Sequence, residues 1–195
     1  MDQGAAEFSR ETKETKVHVK LKVFGSGLVE ADTGLGSLDH MLSLLAFWAG
    51  FDLELSASGD LQVDAHHTVE DVGLCLGEAL RRAIGDRRDM ARVGWARVPM
   101  DEALSEAVLD LSGRPYLVCQ DDILPDMVFG QEKDVWREFF KSLAFRAGMN
   151  LHIHYLYGKN GHHLVESSFK ALGLSLRQAL SGRTQGIMST KGGLD

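Results

Sequence analysis

The chain has 195 residues and a mass of 21.4 kDa, enough for one well-buried core and marginal for two. With 44% hydrophobic residues, 25% charged residues and three prolines, it falls outside the disordered, collagen-like and disulfide-knot classes. A net charge of -7 speaks against a general nucleic-acid binder. The longest nearly apolar run, residues 41–51, reaches about half the length of a bilayer-crossing helix. Residues 1–16 lack the apolar core of a signal peptide, and Cys75 and Cys119 form no CxxC pair. The expectation is therefore a reduced, cytoplasmic protein with no membrane partner.

In chain order, residues 16–24 alternate as a half-buried strand, a glycine turn follows, and residues 28–31 form a second short strand. Residues 38–48 carry apolar side chains at helical spacing, with Ser37 or Asp39 as the cap. Residues 51–57 alternate again and close on a Ser-Gly-Asp turn; another short strand is expected before a long helix over residues 66–84, which ends at Gly85. The second half offers strands at 107–111 and 116–120, a helix at 133–147, a strand at 150–157 and a helix at 162–180. Residues 182–195 are glycine-rich and basic, and read as a loop or tail.

The two halves repeat each other. LAFWAG from Leu45 returns as LAFRAG from Leu143, and HHTVEDVGLCLGEALRRAI from His66 parallels HHLVESSFKALGLSLRQAL from His162. The offsets differ by two residues, as one shortened hairpin would produce. The fold class expected is α/β (α+β): an internally duplicated unit of a β-sheet plus two helices, with two four-stranded sheets covering a helical bundle. The chain forms one domain of two pseudo-repeats, about 10–104 and 105–186.

Eight histidines are present, and six fall in tight groups. Each long helix opens with H-H-x-x-E. His66 and Glu70 are four apart and share a helical face, while His67 points about 100° away. One metal cannot easily take both imidazoles of a pair, so two metals are the economical solution. The repeat offset pairs His40 with Glu138, which adds a ligand from each shorter helix. One ion is then held by His40, His67, His162 and Glu166, and its pseudo-symmetric twin by His66, Glu70, His163 and Glu138. Four N/O ligands leave open positions on an octahedral ion, which suits manganese or iron better than a closed structural zinc. His18, His152 and His154 lie on alternating strands and are read as structural.

The blocks RETKETK, TGLGSLDHML, VDAHHTVEDVGLCLGEAL, PMDEAL, DLSGRPY, GKNGHHLVESSFKAL and STKG resemble those of the imidazoleglycerol-phosphate dehydratase family from about Arg10 to Leu194. The resemblance implies a manganese-dependent lyase that converts imidazole glycerol phosphate to imidazole acetol phosphate in histidine biosynthesis. It further implies a homo-oligomer of 24 subunits with active sites between subunits, in the monofunctional form. Glu14 matches the family's active-site glutamate and is the candidate general base, with Glu166 a ligand that also moves protons. Arg92, Arg114, Lys170, Ser189 and Lys191 match positions around the phosphate. Asp101 matches a motif acid without an assigned role. Three departures stand out: Glu138 where the family often has histidine, Trp48 in place of a histidine near the substrate, and Met188 where proline commonly precedes STKG.

The chemistry fits such residues. The substrate's C2 proton is not acidic, because no carbonyl adjoins it, so electrons must come from elsewhere to expel the C3 hydroxyl. Two metals on the imidazole ring would stabilise it as imidazolate. That ring could push the hydroxyl out to give a diazafulvene, whose C2 proton a carboxylate would then remove. Competing readings are a different di-metal hydrolase and a non-enzymatic metal-binding shell protein. A hydrolase would not require the phosphate cations and terminal loop, and a storage protein needs neither Glu14 nor a substrate-sized gap. Production of an enolisable ketone from the phosphorylated substrate separates all three.

Overall fold

The computed structural model describes residues 4–182, 186, 188 and 189. The first half runs β1 (Ala5–Glu11), β2 (Thr15–Lys22), β3 (Val29–Asp32), α1 (Gly36–Ala49), β4 (Asp52–Gly59) and α2 (His66–Ile84). The second runs β5 (Val93–Met100), β6 (Ala103–Asp110), β7 (Tyr116–Gln120), a two-residue hairpin of β8 (Met127–Val128) and β9 (Gln131–Glu132), α3 (Lys133–Ala147), β10 (Asn150–Tyr157) and α4 (Gly161–Ala179).

The sheets share one plan, β1-β2-β4-β3 and β5-β6-β10-β7. In each, two antiparallel pairings are followed by a parallel one at the end strand. Alternation decides which face is covered. Val17, Val19 and Leu21 of β2 point inward, as do Ala103, Ser105, Ala107 and Leu109 of β6. The first sheet lies over α1 and α2, and the second over α3 and α4. The helices themselves pair across the halves, α2 with α3 and α1 with α4, so one continuous apolar core fills the space between the sheets.

Those helix pairs approach closely at matched glycines. A Cβ on Gly173 of α4 would stand 2.6 Å from the Leu45 carbonyl oxygen of α1. Glycine therefore lets the two backbones touch, and the sequence repeat at Leu45 and Leu143 marks where the helices cross.

Several local expectations are corrected. Strands β1 and β5 and the β8–β9 hairpin were not legible, and β6 starts at Ala103 rather than residue 107. The short strand expected before α2 is a turn over residues 60–65, whose backbone pairs with no neighbour in a sheet. The two-residue difference in repeat offset lies here and not in a hairpin: residues 60–65 separate Gly59 from His66, but only residues 158–161 separate Tyr157 from His162. Helix α1 begins without a side-chain cap; Asp39 instead reaches back to accept hydrogen bonds from the Thr33 amide (2.8 Å) and hydroxyl (2.6 Å).

Candidate active site

Helix α4 is started by Asn160, whose side-chain oxygen accepts from the His162 amide at 2.9 Å. That start places His162 and Glu166 on one face, four residues apart. The close crossing at Gly173 brings α1 alongside, and with it His40. The result is one compact group. Glu166 Oε2 lies 3.1 Å from His162 Nε2 and 3.5 Å from His40 Nε2. Among the described residues, His40, His162 and Glu166 are the one set of three or more such side chains whose ligand atoms all lie within 4.8 Å of one another.

Glu166 is only 6% exposed, so its charge needs compensation. Lys170, one turn further on, supplies it with Nζ 2.5 Å from Oε1. Burial pushes the Glu166 carboxyl up, but the hydrogen bond and charge of Lys170, helped by His40 and His162, outweigh it and hold the group below its ordinary value. The phenyl ring of Phe129, from the loop between β8 and β9, packs on His162 with centroids 4.6 Å apart. Two imidazole nitrogens and an anionic oxygen form a borderline donor set that suits a first-row divalent metal. Thiolates play no part, since burial pushes the Cys75 and Cys119 thiols up to about 12.

The adjacent histidines are aimed elsewhere. His67 Nδ1 lies 3.1 Å from Asp60 and 3.8 Å from Glu14, and the Asp60 hydrogen bond raises its pKa. His163 Nδ1 lies 2.7 Å from Glu102, which likewise raises its pKa, with Asp101 at 3.8 Å from Nε2. The same bond, with the amides of Asn160 and Lys159, holds the Glu102 carboxyl down at about 2. In both cases a carboxylate orients the ring through Nδ1 and leaves Nε2 as the nitrogen for a ligand. His66 Nε2 is 3.9 Å from Glu70, and Glu138 is paired with Lys141 at 2.9 Å. The group of His66 and Glu70 on α2 with Glu138 on α3 is thus not drawn together as its counterpart is.

The candidate phosphate residues come from several elements, with Arg92 before β5, Arg114 after β6 and Lys170 on α4. Arg92 is held by Asp110 through two bonds of 2.6 and 2.8 Å and donates to the Met188 carbonyl at 2.6 Å. Arg114 follows the loop glycine Gly113, and Ser189 is within the described tail. Lys191 lies outside the described residues. Sequence reasoning missed Asp60, Glu102 and Phe129. The first sits in the turn that closes β4 and the second in the β5–β6 hairpin, so two turn acids beside H-H were the available signal; Phe129 offered none.

A sequence model described as imidazoleglycerol-phosphate dehydratase matches residues 33–176. The chain belongs to the imidazoleglycerol-phosphate dehydratase family. Imidazoleglycerol-phosphate dehydratases of Maridesulfovibrio salexigens and Solidesulfovibrio magneticus are 60% and 63% identical to it, covering 100% and 96% of both chains. A crystal structure of the Pyrococcus furiosus protein in complex with (S)-C348 matches with a TM-score of 0.84 at 38% identity, covering 96% of this chain and 100% of that one. The Staphylococcus aureus dehydratase matches with a TM-score of 0.82 at 32% identity, over 92% of this chain and 99% of that one. The chain accordingly carries the dehydratase activity of this family in histidine biosynthesis, that of a hydro-lyase acting on a small phosphorylated substrate. The family is consistent with a metal cofactor, and His40, His162 and Glu166 are fit to bind one. Among the described residues no helix is long and apolar enough to cross a membrane.

Proposed function

We propose that this dehydratase works with manganese, two ions per active site, in sites completed between the subunits of a homo-oligomer of 24 copies. The observation that carries the reading is the gathering of His40, His162 and Glu166 on the α1–α4 crossing. His67 completes that ligand set, and His66, Glu70, Glu138 and His163 form its twin. Because His67 and His163 are each buttressed by their own carboxylates, a neighbouring copy supplies His67 to the gathered set and His163 to its twin. The domain organisation fits the same reading, with pseudo-repeats of about 10–104 and 105–186 each giving half of the ligands.

A metal held by His40, His162 and Glu166 would supply Lewis acidity that would make the substrate's imidazole ring an electron source. The remaining work falls to side chains. Glu14, in the β1–β2 turn and 3.8 Å from His67 Nδ1, takes the C2 proton once the C3 hydroxyl has left. Glu166, shared between its imidazoles and Lys170, holds the charge of the ligand set and also moves protons. Arg92, Arg114, Lys170, Ser189 and Lys191 grip the phosphate, the arginines through their planar forks. Trp48 contributes no proton, so the relay rests on carboxylates.

The experiment is direct. Chelator-treated protein is reloaded with manganese to saturation, its metal content measured, and imidazole glycerol phosphate added while the enolisable ketone is followed. Two ions per chain and manganese-dependent ketone formation are expected. One ion per chain at saturation overturns the two-metal reading, and full turnover without metal overturns the metal reading altogether.

A further inference from the structure

The loop between α2 and β5, residues 85–92, carries three non-glycine residues in the left-handed region: Arg87 at φ 58°, Asp89 at 57° and Arg92 at 70°. Such conformations persist where surrounding contacts fix them. For Arg92 the fixing contacts are Asp110 and the Met188 carbonyl. For Arg87 the contact lies across the fold, where Nη2 donates to the Ala147 carbonyl at the end of α3, 2.8 Å away.

That guanidinium rests on a narrow seat. A Cβ at Gly148 would stand 2.7 Å from Arg87 Nη2 and 3.5 Å from Gly113 Cα. The Gly148 carbonyl accepts from the Gly113 amide at 2.9 Å, and the Met149 carbonyl accepts from the Tyr116 amide at 3.2 Å. The segment that bears Arg114 therefore hangs from residues 148 and 149, and Arg87 sits against the junction. Burial lowers the pKa of Arg87, with Arg81 and Arg92 adding repulsion, and among the described residues its buried Nε has no hydrogen-bond partner. A half-buried cation beside other cations is an expensive way to cap a helix.

We propose that Arg87 is a positioning residue for the phosphate end of the substrate, acting through Arg114. One loop thus governs both arginines, carrying Arg92 itself and setting Arg114 through the Gly148–Gly113 bond. The proposal rests on the reading of Arg114 as a phosphate ligand.

The test is a double-mutant cycle on the metal-loaded enzyme, with KM and kcat for imidazole glycerol phosphate, melting temperature and metal content as readouts. Arg114→Ala and Arg87→Met should each raise KM about tenfold with kcat little changed, the size expected for one charge-assisted contact. The double variant should be no worse than Arg114→Ala alone, because one residue works through the other. Multiplied effects, or a lowered melting temperature with wild-type KM in Arg87→Met, overturn the proposal. If Arg114→Ala leaves KM unchanged, the phosphate reading itself fails and takes the proposal with it. Should Arg87→Met not fold, Arg87→Lys keeps a donor for the Ala147 oxygen without the planar fork. It should raise KM about threefold, and not at all on the Arg114→Ala background; an unchanged KM in Arg87→Lys alone overturns the proposal.

Discussion

Gly77 is pressed against the backbone of Leu143: a Cβ at residue 77 would stand 2.7 Å from the Leu143 carbonyl oxygen. It is the counterpart of the Gly173–Leu45 approach, on the other helix pair. Backbone cannot yield as a flexible side chain can, so Gly77→Ala should force α2 and α3 apart. Overpacking of this kind costs about 1–3 kcal/mol. Thermal denaturation should show a fall of roughly 2–4 °C for each kcal/mol lost.

Glu78 follows on the same helix and is nearly fully buried, with Arg81 and Arg82 each 2.7 Å away and Arg146 at 3.3 Å. The Arg81 hydrogen bond leads the interactions that hold its carboxyl down at about 2. A folded-state value below the unfolded one stabilises the protein above the ordinary carboxylate range and ceases to do so as pH falls through the folded value. The contribution should be complete at pH 7 and vanish between about pH 5 and 2. Unfolding free energies of wild type and Glu78→Gln from urea titrations should differ by about 1–3 kcal/mol at pH 7 and converge toward pH 2. A constant gap across that range would show that the charge is not responsible.

Removal of Glu166 should cost one ion rather than both. Manganese retained after dialysis should fall from about two to about one per active site in Glu166→Ala, because only one proposed ligand set contains this oxygen. Unchanged content would place Glu166 outside the metal site.

Glu14→Gln and Lys191→Ala should fail differently. The first removes a proton acceptor and should mainly lower kcat. The second removes a phosphate contact of about 1.5–3 kcal/mol, a loss of roughly ten- to a hundred-fold in kcat/KM with metal binding intact. Unaltered kinetics in Lys191→Ala at subsaturating substrate would remove that contact.

If neighbouring copies supply metal ligands, metal and assembly are linked. Sedimentation before and after chelation should show a smaller oligomer without metal, and an identical one would break the link.

The duplicated H-H-x-x-E blocks made the long helices, the pairing of the halves and the gathered His162–Glu166 pair legible, because a helix fixes what lies four residues apart. His40 was reachable through the repeat offset alone. Strand β1 was not, since its residues, AAEFSRE, are half-exposed at a sheet edge and carry no strong alternation. Asp60 and Glu102 also escaped notice. Each meets its histidine through a turn whose course depends on tertiary packing, and no spacing rule relates them. Glu138 stands at the position the repeat assigned, yet its own helix offers it Lys141, three residues on, and local pairing takes the carboxylate.

The cross-half pairing of α1 with α4 and α2 with α3 bears on ancestry. A lone copy of either unit would have two helices under one sheet and no partner for the faces those helices bury here. Two copies of such a unit, joined about a two-fold axis, would bury them as this chain does. The interior of the present protein is then laid out as an interface between two such units, and His40 meeting Glu166 is a contact across it.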